Sequence, residues 1–149
     1  MPIVLPTTLA TVAACGVIGL WLGLRISRWR VRDRVMYGDG GDPAHAAQVR
    51  AHANFAEYAP FVIALIAAIE LARGPSPILW GMAAAFVIGR LLHPIGMDRP
   101  APNPFRAVGI LSTWVVLALL SGWAISIAYG LGIATPRVPE AIEVPVTGA

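Results

Sequence analysis

The positions of the charged residues divide the chain into long apolar segments separated by short polar ones. No charged side chain occurs from Met1 to Leu24, and none occurs from Ala107 to Pro136. About twenty apolar residues are enough to cross the hydrocarbon core of a bilayer as an α-helix. These two segments therefore predict membrane-spanning helices near the two ends of the chain.

Turn signals predict two further helices between these segments. Asp42 is a good N-cap and Pro43 suits the first helical position, so a helix is expected to begin there. The preceding residues 38–41 are rich in glycine but lack the lysine and hydroxyl of a P-loop, so they indicate a connecting turn. Prolines within residues 98–104 end the third helix. The predicted helices cover residues 3–34, 43–72, 77–97 and 104–131, within one transmembrane domain of residues 1–131 that is followed by a short tail of residues 132–149.

The two middle helices are too short to cross the membrane on their uncharged residues alone. The uncharged part of the second helix, residues 58–69, is about 18 Å long at the helical rise, against a hydrocarbon core of about 30 Å. This helix must therefore include Asn54 and Glu57 in its membrane-spanning part, and the third helix must include Arg90 and His93. We expect protein to shelter these polar groups.

Composition supports a membrane protein, because 57% hydrophobic residues with only 13% charged residues is too apolar for an ordinary soluble domain. With short connections, the predicted fold is all-α: an integral membrane four-helix bundle with up-down-up-down topology. A single cysteine, Cys15, allows no intrachain disulfide, and a signal peptide cleaved at Cys15 is an alternative to the first span. No metal site is predicted.

All eleven basic residues are arginines, and they lie mostly on one side of the predicted bundle. Because positive residues stay in the cytoplasm, both termini are expected outside and the polar ends of the helices near the cytoplasmic face. The cluster directly after the first span indicates membrane lipid headgroups as partners, not nucleic acid. The nine arginines on the inner side are Arg25, Arg28, Arg30, Arg32, Arg34, Arg50, Arg90, Arg99 and Arg106.

Polar residues at helical spacing predict a shared site. Arg50, Asn54 and Glu57 fall on one stripe of the second helix. On the third helix, Arg90 and His93 share a face that Met97 continues. Ionisable groups at such depth are expensive unless they pair or line a hydrated cavity, so a functional site is their default interpretation.

Structural alternatives exist for several of these residues. Glu57 can neutralise Arg50 or Arg90 and so lock the bundle together. His52 lies off the stripe, where a packing role is as reasonable as a functional one. Asp98 is expected to form a solvated loop pair with Arg99.

The chemistry of the predicted site favours a small anionic zwitterion. Arginines hold carboxylates or phosphates through paired hydrogen bonds, and one carboxylate and one amide complement an ammonium or a peptide group. The apolar helix faces beside the site would admit a lipid-soluble partner from the bilayer. Together these features indicate a conjugating enzyme.

The segment Arg50-Ala-His-Ala-Asn-Phe-Ala-Glu-Tyr-Ala-Pro60 resembles the signature of the MAPEG family, the membrane-associated proteins in eicosanoid and glutathione metabolism. Residues 34–41 and 89–93 are similar to its bacterial inner-membrane members. The resemblance implies a homotrimer that binds glutathione between subunits. It implies glutathione contacts at Arg28 (or Arg30, depending on the helix register), Arg50, Asn54, Glu57, Tyr58, Arg90 and His93.

The same resemblance assigns the catalytic role to Arg106, which would activate the thiol because a nearby guanidinium favours the thiolate. Met97 stands where several enzymes of the family have tyrosine, so prostaglandin and leukotriene activities are not implied. The expected function is conjugation of glutathione, as a cosubstrate, to a lipophilic small molecule, or reduction of a hydroperoxide with it. The alternative is a noncatalytic membrane scaffold or lipid-binding protein whose buried charges serve subunit association; a transporter is disfavoured because no inverted repeat is evident.

Overall fold

The computed structural model describes residues 4–130, and every regular element in that range is an α-helix. All four helices are long and apolar enough to cross a membrane. The all-α membrane fold expected from the sequence is therefore confirmed, whereas the predicted tail, residues 132–149, lies outside the described residues. The helices are α1 (Pro6–Asp33), α2 (Pro43–Arg73), α3 (Pro77–Met97) and α4 (Pro104–Ala128).

Short-range sequence signals set the starts of three helices. The side-chain oxygens of Asp42, Ser76 and Asn103 each accept a hydrogen bond from a backbone N–H in the first turn of α2, α3 and α4. A proline follows each of these caps, where its fixed φ suits the helix and its missing N–H costs nothing. Leu5, which precedes α1, has no side-chain cap of this kind.

A residue from another helix caps α1 instead. The carboxylate of Glu70, near the end of α2, accepts hydrogen bonds from the backbone N–H groups of Thr7 and Thr8 at 2.9 and 2.8 Å. The Thr8 hydroxyl donates to the same carboxylate at 2.6 Å. Glu70 is only 2% exposed, so its charge is stabilised by these donors and not by water. Glu70 directly follows the uncharged residues 58–69, and nothing in that sequence pattern indicates this contact.

The core lies between α2, α3 and α4. Val62, Ile66, Leu79, Phe86 and Leu120 are 0% exposed and belong to one cluster. α1 packs against α2 and α3 but does not contact α4 within the described residues. The outer surface is apolar, as a lipid-facing surface requires, and exposes large side chains such as Val17, Leu20, Leu119 and Ile125.

Glycines allow α3 and α4 to approach closely. A Cβ atom on Gly96 would collide with the backbone N of Arg106, and one on Gly109 would lie 2.7 Å from the backbone N of His93. Both distances are too short for any larger residue. This close packing fixes the position of Arg106 relative to His93.

The glycine-rich segment between α1 and α2 is a connecting turn, as predicted. Gly38, Gly40 and Gly41 have φ values of 68°, 65° and 78°, the left-handed region that glycine adopts without strain. The Arg30 guanidinium donates a hydrogen bond to the Gly38 carbonyl at 2.9 Å. Arg30 is thereby engaged in holding the turn.

Candidate functional site

A cavity of about 300 Å³ opens where one end of α2 meets α3 and α4. It contains five of the eight residues predicted as a site, and Met97 lies with them. A volume of this size is within the range of small-molecule sites. Its lining consists of Arg50, Asn54, Tyr58, His93, Met97, Arg106, Ile110 and Trp114.

The α2 wall of the cavity is formed by residues spaced four apart. Arg50, Asn54 and Tyr58 occupy successive turns of one helix face, whereas the stripe predicted from periodicity had Glu57 in place of Tyr58. Asn54 is 8% exposed and is the most buried of the three, whereas Arg50 is exposed. The Tyr58 hydroxyl accepts a hydrogen bond from the Trp114 indole N–H at 3.1 Å, which links this wall to α4.

The opposite wall is formed by α3 and α4. Nδ1 of His93 lies 3.3 Å from the backbone carbonyl of Arg106. A carbonyl can only accept, so this contact requires the proton on Nδ1 and leaves Nε2 as an acceptor when the ring is neutral. The Arg106 side chain is exposed and borders the same cavity, where a guanidinium favours an anion.

Arg90 lies beneath the cavity and does not line it in the single chain, so its direct contact with a ligand stays a prediction. It is 1% exposed and donates to Asn54 Oδ1 at 2.8 Å and to the Gly109 carbonyl at 2.9 Å. Its guanidinium also lies about 6 Å from the ring centroids of Tyr58 and Phe86. Arg90 thus ties α3 to both α2 and α4 under the site.

Glu57 does not line the cavity either. Its carboxylate pairs with Arg50 at 2.8 and 3.1 Å, and both side chains are about half exposed. Glu57 thus pairs with Arg50, as the structural alternative expects, but the pair lies within one helix and does not lock the bundle together. The expectation that protein shelters Glu57 is wrong for the single chain, whereas it is right for Asn54, Arg90 and His93.

An apolar groove of about 700 Å³ adjoins the cavity between α2 and α4. Tyr58 borders both spaces, and Glu57 lies at the polar end of the groove. Along α2 the groove passes the small residues Ala64 and Ala68, which face Leu117 of α4. The polar cavity and the apolar groove therefore share one lining residue, Tyr58.

Neither candidate from α1 reaches the cavity within one chain. Arg28 is exposed and borders a separate pocket with Arg25, Trp29, Arg32, His45 and Gln48. Arg30 borders another surface depression and bonds to the interhelix turn. The sequence left open whether Arg28 or Arg30 contacts glutathione, and both residues lie outside the cavity of their own subunit.

Near this end of the bundle, one expected contact has a different partner and one further contact was not expected. Asp98 does not pair with Arg99: it accepts from Arg25 of α1 through both oxygens at 2.6 Å, while Arg99 stacks over Phe105. Trp29 and His45 stack with their ring centroids 3.8 Å apart, which joins α1 to the start of α2. No sequence motif marks either contact, since each joins side chains from different segments of the chain.

Among residues 4–130 there is no group of three or more histidine, cysteine, aspartate or glutamate side chains that could hold a metal ion. The polar lining of the cavity consists instead of two guanidinium groups, an amide, a phenol and an imidazole. Such a set is suited to binding an anion.

Known proteins resemble the chain over most of its length. The sequence profile of the MAPEG family matches residues 8–126, which include all four helices apart from their outermost residues. The inner membrane protein YecN of Escherichia coli, in strains K12 and O6:H1, is 30% identical over 95 residues, which is 64% of this chain and 72% of the relative. The apolar helices and these inner-membrane relatives together support an integral inner-membrane protein. This chain therefore belongs to the MAPEG family.

Proposed function

We propose that the protein binds glutathione in the cavity between α2, α3 and α4 and joins the whole tripeptide through its sulfur to an apolar electrophile. Alternatively, two glutathione molecules reduce an apolar hydroperoxide to an alcohol and water and are themselves oxidised to the disulfide. The observation that carries this proposal is the polar cavity and the apolar groove that meet at Tyr58. Membership of the MAPEG family supports a glutathione-related function in a membrane.

The cavity complements the groups of glutathione. The tripeptide carries two carboxylates, one ammonium and one thiol. Arg50 and Arg106 can bind carboxylate or thiolate through charge-assisted hydrogen bonds, which are roughly twice as strong as neutral ones. Glu57 can accept from the ammonium once Arg50 turns from their mutual pair toward the ligand.

Arg106 would act by favouring the ionised sulfur. A free thiol has a pKa of about 8.5, and a nearby guanidinium stabilises the thiolate, which is the nucleophile. The thiolate attacks the electrophilic carbon and forms a C–S bond, while the leaving group departs with its bonding electrons. The thiol proton passes to water.

The groove would hold the apolar part of the second substrate. Away from Glu57 its lining is uncharged and includes Phe61, Leu65 and Leu117, and it shares Tyr58 with the cavity. An electrophile bound in the groove would have its reactive carbon near the sulfur. Its apolar part would pack against side chains that lipid also contacts.

We infer an up-down-up-down bundle with both termini outside and the cavity near the cytoplasmic face, because the arginines concentrate at the cavity end. We also infer a homotrimer. Glu57 and Arg28 are exposed in the single chain. In a trimer, a neighbouring subunit would cover Glu57, and Arg28 would lie near the cavity of that neighbour.

Conjugation of glutathione to a chloronitrobenzene probe by detergent-solubilised protein tests the proposal. Arg106→Ala is expected to lower the rate at least tenfold while the oligomer persists in size-exclusion chromatography with light scattering. Arg73→Ala is the matched control, since Arg73 is exposed at the other end of α2 and should leave the rate unchanged. Loss of the oligomer on Arg106→Ala, with no conjugation by the wild type, would favour the noncatalytic scaffold.

A further inference from the structure

Arg90 is a buried cation without a carboxylate partner among residues 4–130. It is 1% exposed, and it donates hydrogen bonds to the Asn54 amide oxygen and the Gly109 carbonyl. Burial of an unpaired charge is costly, so a purely structural role would be served as well by an apolar side chain of the same volume. The position of Arg90 under the cavity indicates a different role.

The contact with Arg90 fixes the orientation of the Asn54 amide. A guanidinium has only donors, so the group of Asn54 that faces Arg90 must be the oxygen. The amide NH₂ of Asn54 is therefore the group left to face the cavity that this residue lines. Arg90 makes Asn54 a hydrogen-bond donor toward any ligand.

A neighbouring residue also fixes the hydrogen-bond role of Tyr58, which lies one turn further along α2. The Trp114 indole has an N–H and no acceptor, so the Tyr58 oxygen must accept in their contact at 3.1 Å. The phenolic proton is then free to be donated elsewhere, and Tyr58 also lines the cavity. Two neighbouring side chains of the α2 wall are thus held as donors by residues behind or beside them.

We propose that Arg90 is a positioning residue that holds Asn54 as a donor and, together with the contact of Trp114 on Tyr58, gives the α2 wall its donor polarity. This wall then selects an anionic group of the bound tripeptide, a carboxylate or the thiolate. The inference rests on the proposed function. It specifies that the group of glutathione in contact with Asn54 and Tyr58 is an anion. Arg90 itself does not touch the ligand.

Asn54→Asp separates this role from a structural one. Aspartate has nearly the same shape and keeps an oxygen toward Arg90, where it forms an ion pair, so the fold should be at least as stable in thermal unfolding. It replaces the cavity-facing NH₂ with an oxygen, which repels an anion. Glutathione affinity measured by calorimetry should therefore fall about 10- to 100-fold.

Two comparisons complete the test. Arg90→Lys keeps a donor for the Asn54 oxygen and should retain most of the affinity, whereas Arg90→Met frees the amide to turn and should lose affinity as Asn54→Asp does. S-methylglutathione, which lacks an ionisable thiol, identifies the anion. An equal loss of affinity for it in Asn54→Asp assigns a carboxylate to the wall, and a loss confined to glutathione assigns the thiolate.

Wild-type affinity in Asn54→Asp would overturn this inference while leaving the proposed function intact. Failure of the wild-type protein to bind glutathione would instead overturn the proposed function, and this inference with it. The two failures are distinguished by the wild-type measurement alone.

Discussion

Glu70 accepts hydrogen bonds from both the backbone N–H and the hydroxyl of Thr8, residues that are 62 positions apart in the chain. Together with the N–H of Thr7, these donors surround a carboxylate that is almost completely buried. The negative charge also lies at the N-terminus of α1, where the helix dipole favours it. A single side chain of α2 therefore supplies the cap that the sequence before α1 lacks.

Glu70→Gln is expected to destabilise the protein by about 2 kcal/mol, because a neutral amide loses charge-assisted hydrogen bonds and turns an NH₂ toward a backbone N–H. Unfolding in mixed detergent measures the change. Glu57→Gln is the matched control on the same helix, since its pair with Arg50 is about half exposed and should change stability by less than about 1 kcal/mol. Equal destabilisation by the two variants would contradict the assigned role of Glu70.

Glu57→Gln should instead affect ligand binding. If Glu57 accepts from the ammonium of glutathione, loss of its charge should weaken binding roughly tenfold, as expected for one charge-assisted hydrogen bond. Calorimetry on the intact oligomer measures this effect. Glu70→Gln, which lies far from the cavity along α2, should retain wild-type affinity whenever it is folded. Unchanged affinity in Glu57→Gln would remove this residue from the proposed site.

The close packing of α3 on α4 gives a prediction that compares two glycines of the same helix. Gly96→Ala must displace the backbone at Arg106, so it should lower the conjugation rate at least tenfold, a barrier increase of about 1.4 kcal/mol. A Cβ on Gly81 meets nothing within 4 Å, so Gly81→Ala should leave the rate unchanged and raise stability by up to about 1 kcal/mol. Equal rates in the two variants would show that the contact does not position Arg106.

The groove predicts a selective effect on the second substrate. Ala68→Leu places a larger side chain between α2 and α4 where Ala68 now leaves space. The KM for an extended apolar electrophile should rise several-fold, while the glutathione affinity and the KM for a small electrophile stay unchanged. Steady-state kinetics with both electrophiles makes this comparison. Equal KM changes for both would place the apolar substrate elsewhere.

The parts of the fold that depend on neighbouring residues could be predicted from the sequence. Asp42 before Pro43 signals a helix start by a local hydrogen bond, and that bond is present. Helical periodicity likewise places Asn54 on one face of α2 and His93 with Met97 on one face of α3, and these faces meet at the cavity. Such features need no knowledge of how the helices pack.

The features that depend on packing between helices could not be predicted. Asp98 lies beside Arg99 in the chain, but its partner is Arg25, because the two helices bring that guanidinium to the end of α3. Arg90 shares a helix face with His93, yet it points beneath the cavity toward Asn54. Periodicity assigns a residue to a helix face. Whether a side chain on that face lines the cavity or packs behind it depends on how the neighbouring helices are placed.

A structure of the protein soaked with glutathione tests the central claim most directly. The account predicts the tripeptide in the cavity between α2, α3 and α4, with its sulfur beside Arg106 and an anionic group against Asn54. Glutathione bound only at the pocket beside Arg28, away from the cavity of any subunit, or absent at saturating concentration, would contradict it.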